Sequence, residues 1–154
     1  MNRLVPLVVS FSLLWASLAH AQAGYLGLYT GTYAAIGVQY TAEPIRFSVG
    51  LDPFWYGFGL TGAVDVKLGG FSLAPAPEVR LEGYFGAGAN AGYYFNSYLF
   101  TSGGGLVADA HGLVGLEYRL PGMPYSVYAE IQLGARLLPT VAFYPGGRLG
   151  LNFR

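Results

Sequence analysis

The sequence lacks cysteine and is poor in charge. None of its 154 residues is Cys, and Asp, Glu, Lys and Arg together make up 10%, against about 25% in an ordinary soluble domain. The absence of Cys excludes a scaffold stapled by disulfides, so an exported form of this chain needs another source of stability. The shortage of charge is atypical of a water-facing surface, and Lys67 is the only lysine.

Long hydrophobic runs are also missing once the first 23 residues have been passed. Gly, charged and polar residues recur there at every second or third position, whereas a membrane-spanning helix needs about 18 or more consecutive apolar residues. A helical membrane protein is therefore disfavoured. One of the eight basic residues, Arg3, falls in the first segment, which leaves seven against eight acidic residues. This balance gives no basic patch for nucleic acid and no acidic tail.

The segment 1–23 has the layout of a secretory signal peptide. A short positive region precedes the apolar stretch Leu4–Leu18, and small residues follow it. We expect cleavage after Ala21 or Ala23, which leaves 24–154 as a single domain. The alternative, an uncleaved anchor helix, is disfavoured because the stretch is shorter than the about 17 to 25 residues that a bilayer requires.

The remaining chain shows two-residue alternation, the period of a β-strand whose side chains point to opposite faces. In Phe54–Leu68 the even positions are apolar or glycine, and both charged residues, Asp65 and Lys67, stand at odd positions. The same sorting recurs in the other predicted strand segments, which are Ile45–Leu51, Val79–Phe85, Leu106–Leu120, Tyr125–Leu137 and Gly147–Arg154.

Turn signals separate these segments. The predicted short turns are Asp52-Pro53, Gly88-Ala89-Asn90 and Pro121–Pro124, and the predicted longer loops are Gly69–Pro77, Thr101–Gly105 and Pro139–Gly146. Such alternation is typical of membrane barrels, which have tight periplasmic turns and larger outer loops. Seven strands follow from Ile45 onward, and Gly24–Thr41 adds at least one, with Gly31–Ala35 either a kink or a turn. The sequence therefore predicts an all-β, antiparallel, up-and-down transmembrane barrel of about eight strands.

The apolar faces belong to the outside of this barrel in our interpretation, although a soluble barrel would turn them inward. The polar faces also contain Gly, Ala and Tyr, a composition that suits a lumen filled by packed side chains. Aromatic residues at strand ends are predicted to form one interfacial girdle, which comprises Phe54, Tyr56, Tyr118, Tyr125 and Phe153.

The charged residues are predicted to pair within the lumen and fill it. They are Arg46, Asp65, Lys67, Glu78, Arg80, Glu82, Asp109, Glu117, Arg119, Glu130, Arg136 and Arg148. Because an ion-selective pore uses rings of one sign, this mixture of signs disfavours such a pore.

Two motifs resemble functional sites. Gly57–Gly62 matches the dinucleotide fingerprint G-x-G-x-x-G, but it lies within a strand-like run where the fingerprint needs a helix to follow. His111 and Asp109 share a strand face, as a general base and its orienting carboxylate would. Leu113 occupies the place where a barrel deacylase has Ser, so we predict a lumenal, hydrogen-bonded His111. No catalytic, cofactor-binding or metal-binding residue is predicted.

The run Gly115–Arg119 before a tight turn and the closing run Gly147–Phe153 resemble small outer-membrane β-barrel proteins of the OmpA/OmpX-like kind. The resemblance covers the mature chain through loose patterns. It implies an outer-membrane location, contact with membrane lipid and insertion by the outer-membrane assembly machinery; we also expect a monomer. In that family the final residue is typically an aromatic read by this machinery, whereas here Arg154 follows Phe153.

The expected function is accordingly non-enzymatic: an outer-membrane barrel with a structural, adhesive or surface-binding role. Exterior loops around Phe71–Pro77, Ser97–Gly105 and Pro139–Pro145 are the expected contact surface. One alternative is an exported soluble barrel that binds an apolar ligand inside. The other is a barrel enzyme that modifies envelope lipid, for which the sequence shows no nucleophile.

Overall fold

The computed structural model describes residues 24–53, 57–76, 79–95 and 103–154, so the predicted signal peptide lies outside the described residues. The described residues form eight strands: β1 (Tyr25–Gly31), β2 (Ala34–Ala42), β3 (Ile45–Asp52), β4 (Gly59–Ala76), β5 (Val79–Tyr94), β6 (Gly105–Arg119), β7 (Tyr125–Leu138) and β8 (Ala142–Phe153). No helix in this part of the chain is long and apolar enough to cross a membrane.

The strands form a closed antiparallel barrel in chain order, and β8 pairs with β1 to complete it. Leu26 lies opposite Phe153 at one end of this closing ladder and Gly31 lies opposite Arg148 at the other. Closure satisfies backbone N–H and C=O groups that an open sheet would leave at its edges. The predicted all-β, eight-stranded, antiparallel barrel is thus confirmed.

The strand count of about eight was correct, but the predicted distribution of the strands was wrong, because six described strands and not seven follow from Ile45 onward. The first stretch holds two strands, β1 and β2. The chain turns between Gly31 and Ala34, with Tyr33 in the left-handed region at φ 62°, so the turn is the correct one of the two alternatives for Gly31–Ala35. Gly88-Ala89-Asn90, predicted as a short turn, lies inside β5. Gly88 stands opposite Asp65 and His111 on the two neighbouring strands, and a Cβ there would collide with the Asp65 carboxylate. This glycine provides room for side chains; it does not turn the chain.

The predicted alternation of short turns and long loops was also wrong. We call the end where β1 begins and β8 ends the terminal end, and the opposite end the loop end. Asp52-Pro53 lies at the loop end, whereas the other predicted short turn, Pro121–Pro124, lies at the terminal end. Strand β4 continues through the predicted loop as far as Ala76, and β8 begins within another predicted loop, at Ala142.

The long β4–β5 hairpin projects from the terminal end. Val66 of β4 pairs with Ile45, the first residue of β3, but from Gly69 to Ala76 the strand pairs with β5 alone. This part of β4 therefore has one edge without a neighbouring strand. Pro75 stands on this edge, and irregularities of register interrupt it, both of which hinder pairing with another chain.

Side chains sort as the alternation predicts, with apolar residues outside and polar residues inside. In β7, for example, Ile131 and Leu133 are each 69% exposed on the outer surface, whereas Glu130 and Gln132 are buried in the barrel. Eight strands enclose a space just wide enough for side chains to fill. The core of this protein is accordingly polar and aromatic.

Interior tyrosines fill much of the space, and each of five lies directly opposite a glycine on the adjacent strand. Because a Cβ on these glycines would overlap the tyrosine ring, the missing side chain makes the room that the ring occupies. The pairs are Tyr29 with Gly37, Tyr84 with Gly115, Tyr94 with Gly59, Tyr128 with Gly150 and Tyr144 with Gly134.

Candidate functional site

Asp65 is the centre of a buried ion-pair network inside the barrel. Its Oδ2 accepts hydrogen bonds from Arg46 Nε at 2.9 Å and Nη2 at 2.8 Å, and from Arg148 Nη1 at 2.8 Å. Its Oδ1 lies 2.9 Å from His111 Nε2. Strands β3, β4, β6 and β8 each supply one of these residues. The alternation places the four side chains inside, and barrel closure brings them together.

Two further carboxylates complete this network: Glu130, which binds Arg46, and Asp109, which lies beside His111. Glu130 accepts from Arg46 Nη2 at 2.7 Å, Tyr84 Oη at 3.1 Å and Gln132 Nε2 at 2.7 Å. Every ionised group here is buried, and burial of a charge is tolerated when it is paired and hydrogen-bonded. The network therefore joins opposite walls of the barrel by polar contacts.

His111 lies between two carboxylates. Its Nε2 faces Asp65, and its Nδ1 is 3.3 Å from Asp109 Oδ1. Asp109 also accepts from Tyr144 Oη at 2.6 Å and Asn90 Nδ2 at 3.1 Å. An imidazolium is the form of histidine that donates from both ring nitrogens. In that form His111 joins Arg46 and Arg148 to give three cations for the three carboxylates of the network.

A second buried cluster surrounds Glu117 nearer the terminal end. Glu117 Oε1 accepts from Ser126 Oγ, from Asn152 Nδ2 at 3.0 Å and from Arg154 Nη2 at 2.9 Å. Gln39 continues the chain of contacts, because its Nε2 donates to Asn152 at 2.8 Å while its Oε1 accepts from Tyr128 at 2.7 Å. The lumen is thus filled at two levels.

The predicted lumenal charges divide into three groups. Six are buried in the two networks: Arg46, Asp65, Asp109, Glu117, Glu130 and Arg148. Lys67 lies at the terminal mouth and pairs with Glu43 at 2.7 Å. The others lie at the rims: Arg80, Glu82 and Arg119 at the terminal end and Arg136 at the loop end, while Glu78 lies outside the described residues.

Sequence reasoning missed several members of these networks. Glu43 lies in a turn, outside the alternating segments. Arg154 had the inward parity in the predicted segment Gly147–Arg154 but was not included among the lumenal charges. Gln39, Asn90 and Asn152 are uncharged, although the inward parity of Asn152 was available from its strand. Side-chain parity combined with hydrogen-bonding capacity, and not charge alone, is the signal that identifies them.

The outer wall forms a continuous apolar surface. The outward positions of the described strands carry no charged residue. At the terminal end they include Tyr118, Tyr125 and Phe153, three members of the predicted girdle, and the last two rings pack edge to face with centroids 5.6 Å apart. Phe54 and Tyr56 lie outside the described residues.

A second group of outward aromatic residues at the loop end was not predicted. Phe95 packs near Phe58 and Tyr93, with ring centroids 6.1 Å and 5.1 Å away. Phe143 of β8 is 88% exposed. The apolar wall therefore has aromatic residues towards both ends, although the sequence indicated one girdle only.

The two motifs noted in the sequence show no catalytic arrangement. Gly59–Gly62 belongs to β4, whose extended backbone continues without the helix that the dinucleotide fingerprint needs. His111 is buried, and carboxylates face both of its ring nitrogens, which makes it a component of the ion network. The described residues contain no group of three or more His, Cys, Asp or Glu suited to a metal ion.

Comparisons of the chain with protein-family models, with curated proteins and with solved structures found no match.

Proposed function

We propose that this protein is a non-enzymatic outer-membrane β-barrel with a structural, adhesive or surface-binding role. The observation that carries the proposal is the apolar outer wall, free of charged residues at its outward strand positions, around a charged interior. A soluble barrel has the reverse arrangement, because its outer surface meets water.

The outer wall is poorly suited to water. Leu26, Ile36 and Leu133 are more than 60% exposed on three different strands. Soluble monomers rarely expose continuous apolar patches larger than a few hundred Å², and transfer of apolar surface out of water contributes about 25 cal/mol per Å². A lipid environment removes this cost around the whole circumference.

The backbone arrangement fits the same environment. Hydrocarbon offers no hydrogen-bond partners, so a spanning sheet must be closed, as the ladder between β1 and β8 makes it. The Gly69–Ala76 part of β4 has one unpaired edge. Because the backbone groups on this edge need water as a hydrogen-bond partner, this part of the strand lies beyond the hydrocarbon layer in our proposal. The aromatic residues near both barrel ends occupy the two interfaces in this placement.

The filled lumen favours a role at the surfaces of the barrel. Ion pairs and tyrosines occupy the interior, and this supports neither an open pore nor an apolar ligand cavity. Enzymatic action is disfavoured because the two ring nitrogens of His111 face carboxylates and so offer no base to a nucleophile. Membrane lipid and the outer-membrane assembly machinery are the partners of this proposed OmpA/OmpX-like monomer.

Expression of the chain with residues 1–23 retained, followed by fractionation, tests the proposal. We expect a cleaved protein in the outer membrane that resists alkaline extraction and runs at different gel mobilities when cold and when boiled. A matched sample unfolded in urea before loading should lose the cold mobility. Recovery as a soluble protein that needs no detergent would overturn the proposal and favour an exported soluble barrel.

A further inference from the structure

The turn between β1 and β2 folds into the loop-end mouth of the barrel. Its two residues, Thr32 and Tyr33, are 9% and 4% exposed, whereas connections between strands normally run over the surface of a protein. The described residues of the other three loop-end connections are all half-buried or exposed; they are 53, 57–58, 95, 103–104 and 139–141. The β1–β2 turn therefore differs from them in entering the lumen.

The Tyr33 ring reaches across the mouth to the opposite wall. It packs with Tyr94 of β5 and Val107 of β6, and these strands lie four positions around the ring of eight from β1 and β2. The ring also meets Tyr144 of β8 edge to face, with centroids 5.3 Å apart. One side chain from the turn thus fills the space between the walls at this level of the barrel.

Neutral hydrogen bonds to two strands hold the turn in this position. The Tyr33 carbonyl accepts from Thr61 Oγ1 of β4 at 2.8 Å. The Thr32 N–H donates to the Gly147 carbonyl of β8 at 2.9 Å, and the Gly147 N–H donates to Thr32 Oγ1 at 2.9 Å. No charged group takes part in these bonds, so water can replace each of them at a small net cost.

The backbone of the turn favours movement. Tyr33 is at φ 62°, a region that tyrosine rarely adopts and that the surrounding contacts must maintain. The β1–β2 ladder is regular as far as the pair Tyr29 and Gly37, and the register then shifts before Gly31 and Ala34. Gly31 begins this irregular part, and glycine accepts the changes of backbone angle that a hinge requires. The turn can therefore swing outward while the regular part of the ladder stays paired.

We propose that the β1–β2 turn is a movable plug, which closes the loop-end mouth when the Tyr33 ring is inside and admits water to the loop-end part of the lumen when it swings out. The network around Asp65 stays in place below. The opening therefore ends where Tyr144 donates to Asp109, and it creates no continuous channel. This inference concerns access to the lumen and holds whether or not the barrel lies in a membrane.

Thiol labelling tests the plug, because the chain has no cysteine of its own. Val107→Cys places a thiol against the Tyr33 ring, at a position that is 1% exposed. Mass spectrometry follows its reaction with a water-soluble maleimide in the full chain folded in detergent micelles. We expect slow but measurable labelling. Tyr33→Gly, which keeps the positive φ without strain, should raise the rate at least about tenfold, because a minor conformation is typically populated at about 0.1 to 10%.

Two controls separate opening of the mouth from other effects. Tyr93→Ala removes a ring from the outer wall at the same end and should leave the labelling rate of Val107→Cys unchanged. Ser126→Cys, which is fully buried near the terminal end, should stay unlabelled when it is combined with Tyr33→Gly. Equal rates for Tyr33→Gly and Tyr93→Ala, or equal labelling of the two thiols in the Tyr33→Gly protein, would overturn the inference.

A disulfide tether tests movement of the turn with the Tyr33 ring in place. A Cβ on Gly146 would lie 3.2 Å from the Thr32 Cβ, close to the about 3.5 to 4.5 Å that separates the two Cβ atoms of a disulfide. Oxidation of the pair Thr32→Cys/Gly146→Cys should therefore fix the turn and stop the labelling of Val107→Cys. Equal labelling rates in the tethered and untethered proteins would show that the turn does not move, and would overturn the inference.

Discussion

Arg46 on β3 donates a hydrogen bond of 2.7 Å to Glu130 on β7, which stands 84 positions away in the sequence and four strands away around the barrel. In a ring of eight strands these two lie on opposite walls. One ion pair thus crosses the whole lumen. Arg46 also binds Asp65, so this contact belongs to a network that holds the walls together from inside.

Removal of the central carboxylate should strongly destabilise the barrel. Asp65→Asn leaves Arg46, Arg148 and His111 without the charge that they share, and loss of one partner from a buried ion pair costs about 3 to 5 kcal/mol. The free energy of unfolding, from reversible urea titration in vesicles, measures this loss. The control is Glu82→Gln, which breaks an exposed pair with Arg119 and should cost at most about 1 kcal/mol. Similar losses for the two variants would contradict a structural role for the network.

The same network should close the lumen to ions. We expect the wild type to show no steady conductance in planar bilayers, because side chains fill an eight-stranded barrel. The double variant Arg46→Ala/Glu130→Ala removes the contact between opposite walls and should raise the conductance. The matched double variant Arg119→Ala/Glu82→Ala removes a rim pair and should behave like the wild type. Equal conductance of the wild type and the lumenal variant would show that this pair does not obstruct the lumen.

Local patterning predicted much of this network but not its contacts. Two-residue alternation placed Arg46, Asp65 and Glu130 inside, since parity is a property of each strand by itself. Which of them meet depends on the register and width of the closed barrel, which no single segment encodes. Gly88 was assigned to a turn because Gly-Ala-Asn has turn composition. A glycine is needed there because the Asp65 and His111 side chains of the two neighbouring strands occupy the space of a Cβ. The residues that flank Gly88 in the sequence do not indicate this contact.

The glycines opposite interior tyrosines should be sensitive to a single methyl group. Gly115→Ala places a Cβ against the Tyr84 ring, and overpacking of this kind typically costs about 1 to 3 kcal/mol. Gly112, three residues earlier on β6, faces outward, and the nearest atom to a Cβ there is Gly86 O at 3.9 Å. Gly112→Ala is therefore the control and should have little effect. Urea unfolding of both variants measures the difference, and equal stabilities would show that the ring moves aside freely.

An arginine on the apolar wall should destabilise the barrel strongly only where the wall meets lipid. Ile131 lies near the middle of β7 and is 69% exposed, so Ile131→Arg would place a charge near the bilayer centre, at a cost of about 2 to 4 kcal/mol. Val141 is 73% exposed in the connection between β7 and β8, where the same substitution should cost at most about 1 kcal/mol because the site lies close to the interface.

Unfolding in vesicles, with the inserted fraction read from cold and boiled gel mobility, separates these two positions. A water-facing wall would accept arginine equally well at both, since exposure is similar and neither side chain has a buried partner to lose. A larger loss for Ile131→Arg than for Val141→Arg therefore requires a low-dielectric layer around the middle of the barrel. Equal losses of stability in the two variants would contradict the membrane location but would not contradict the fold or its interior network.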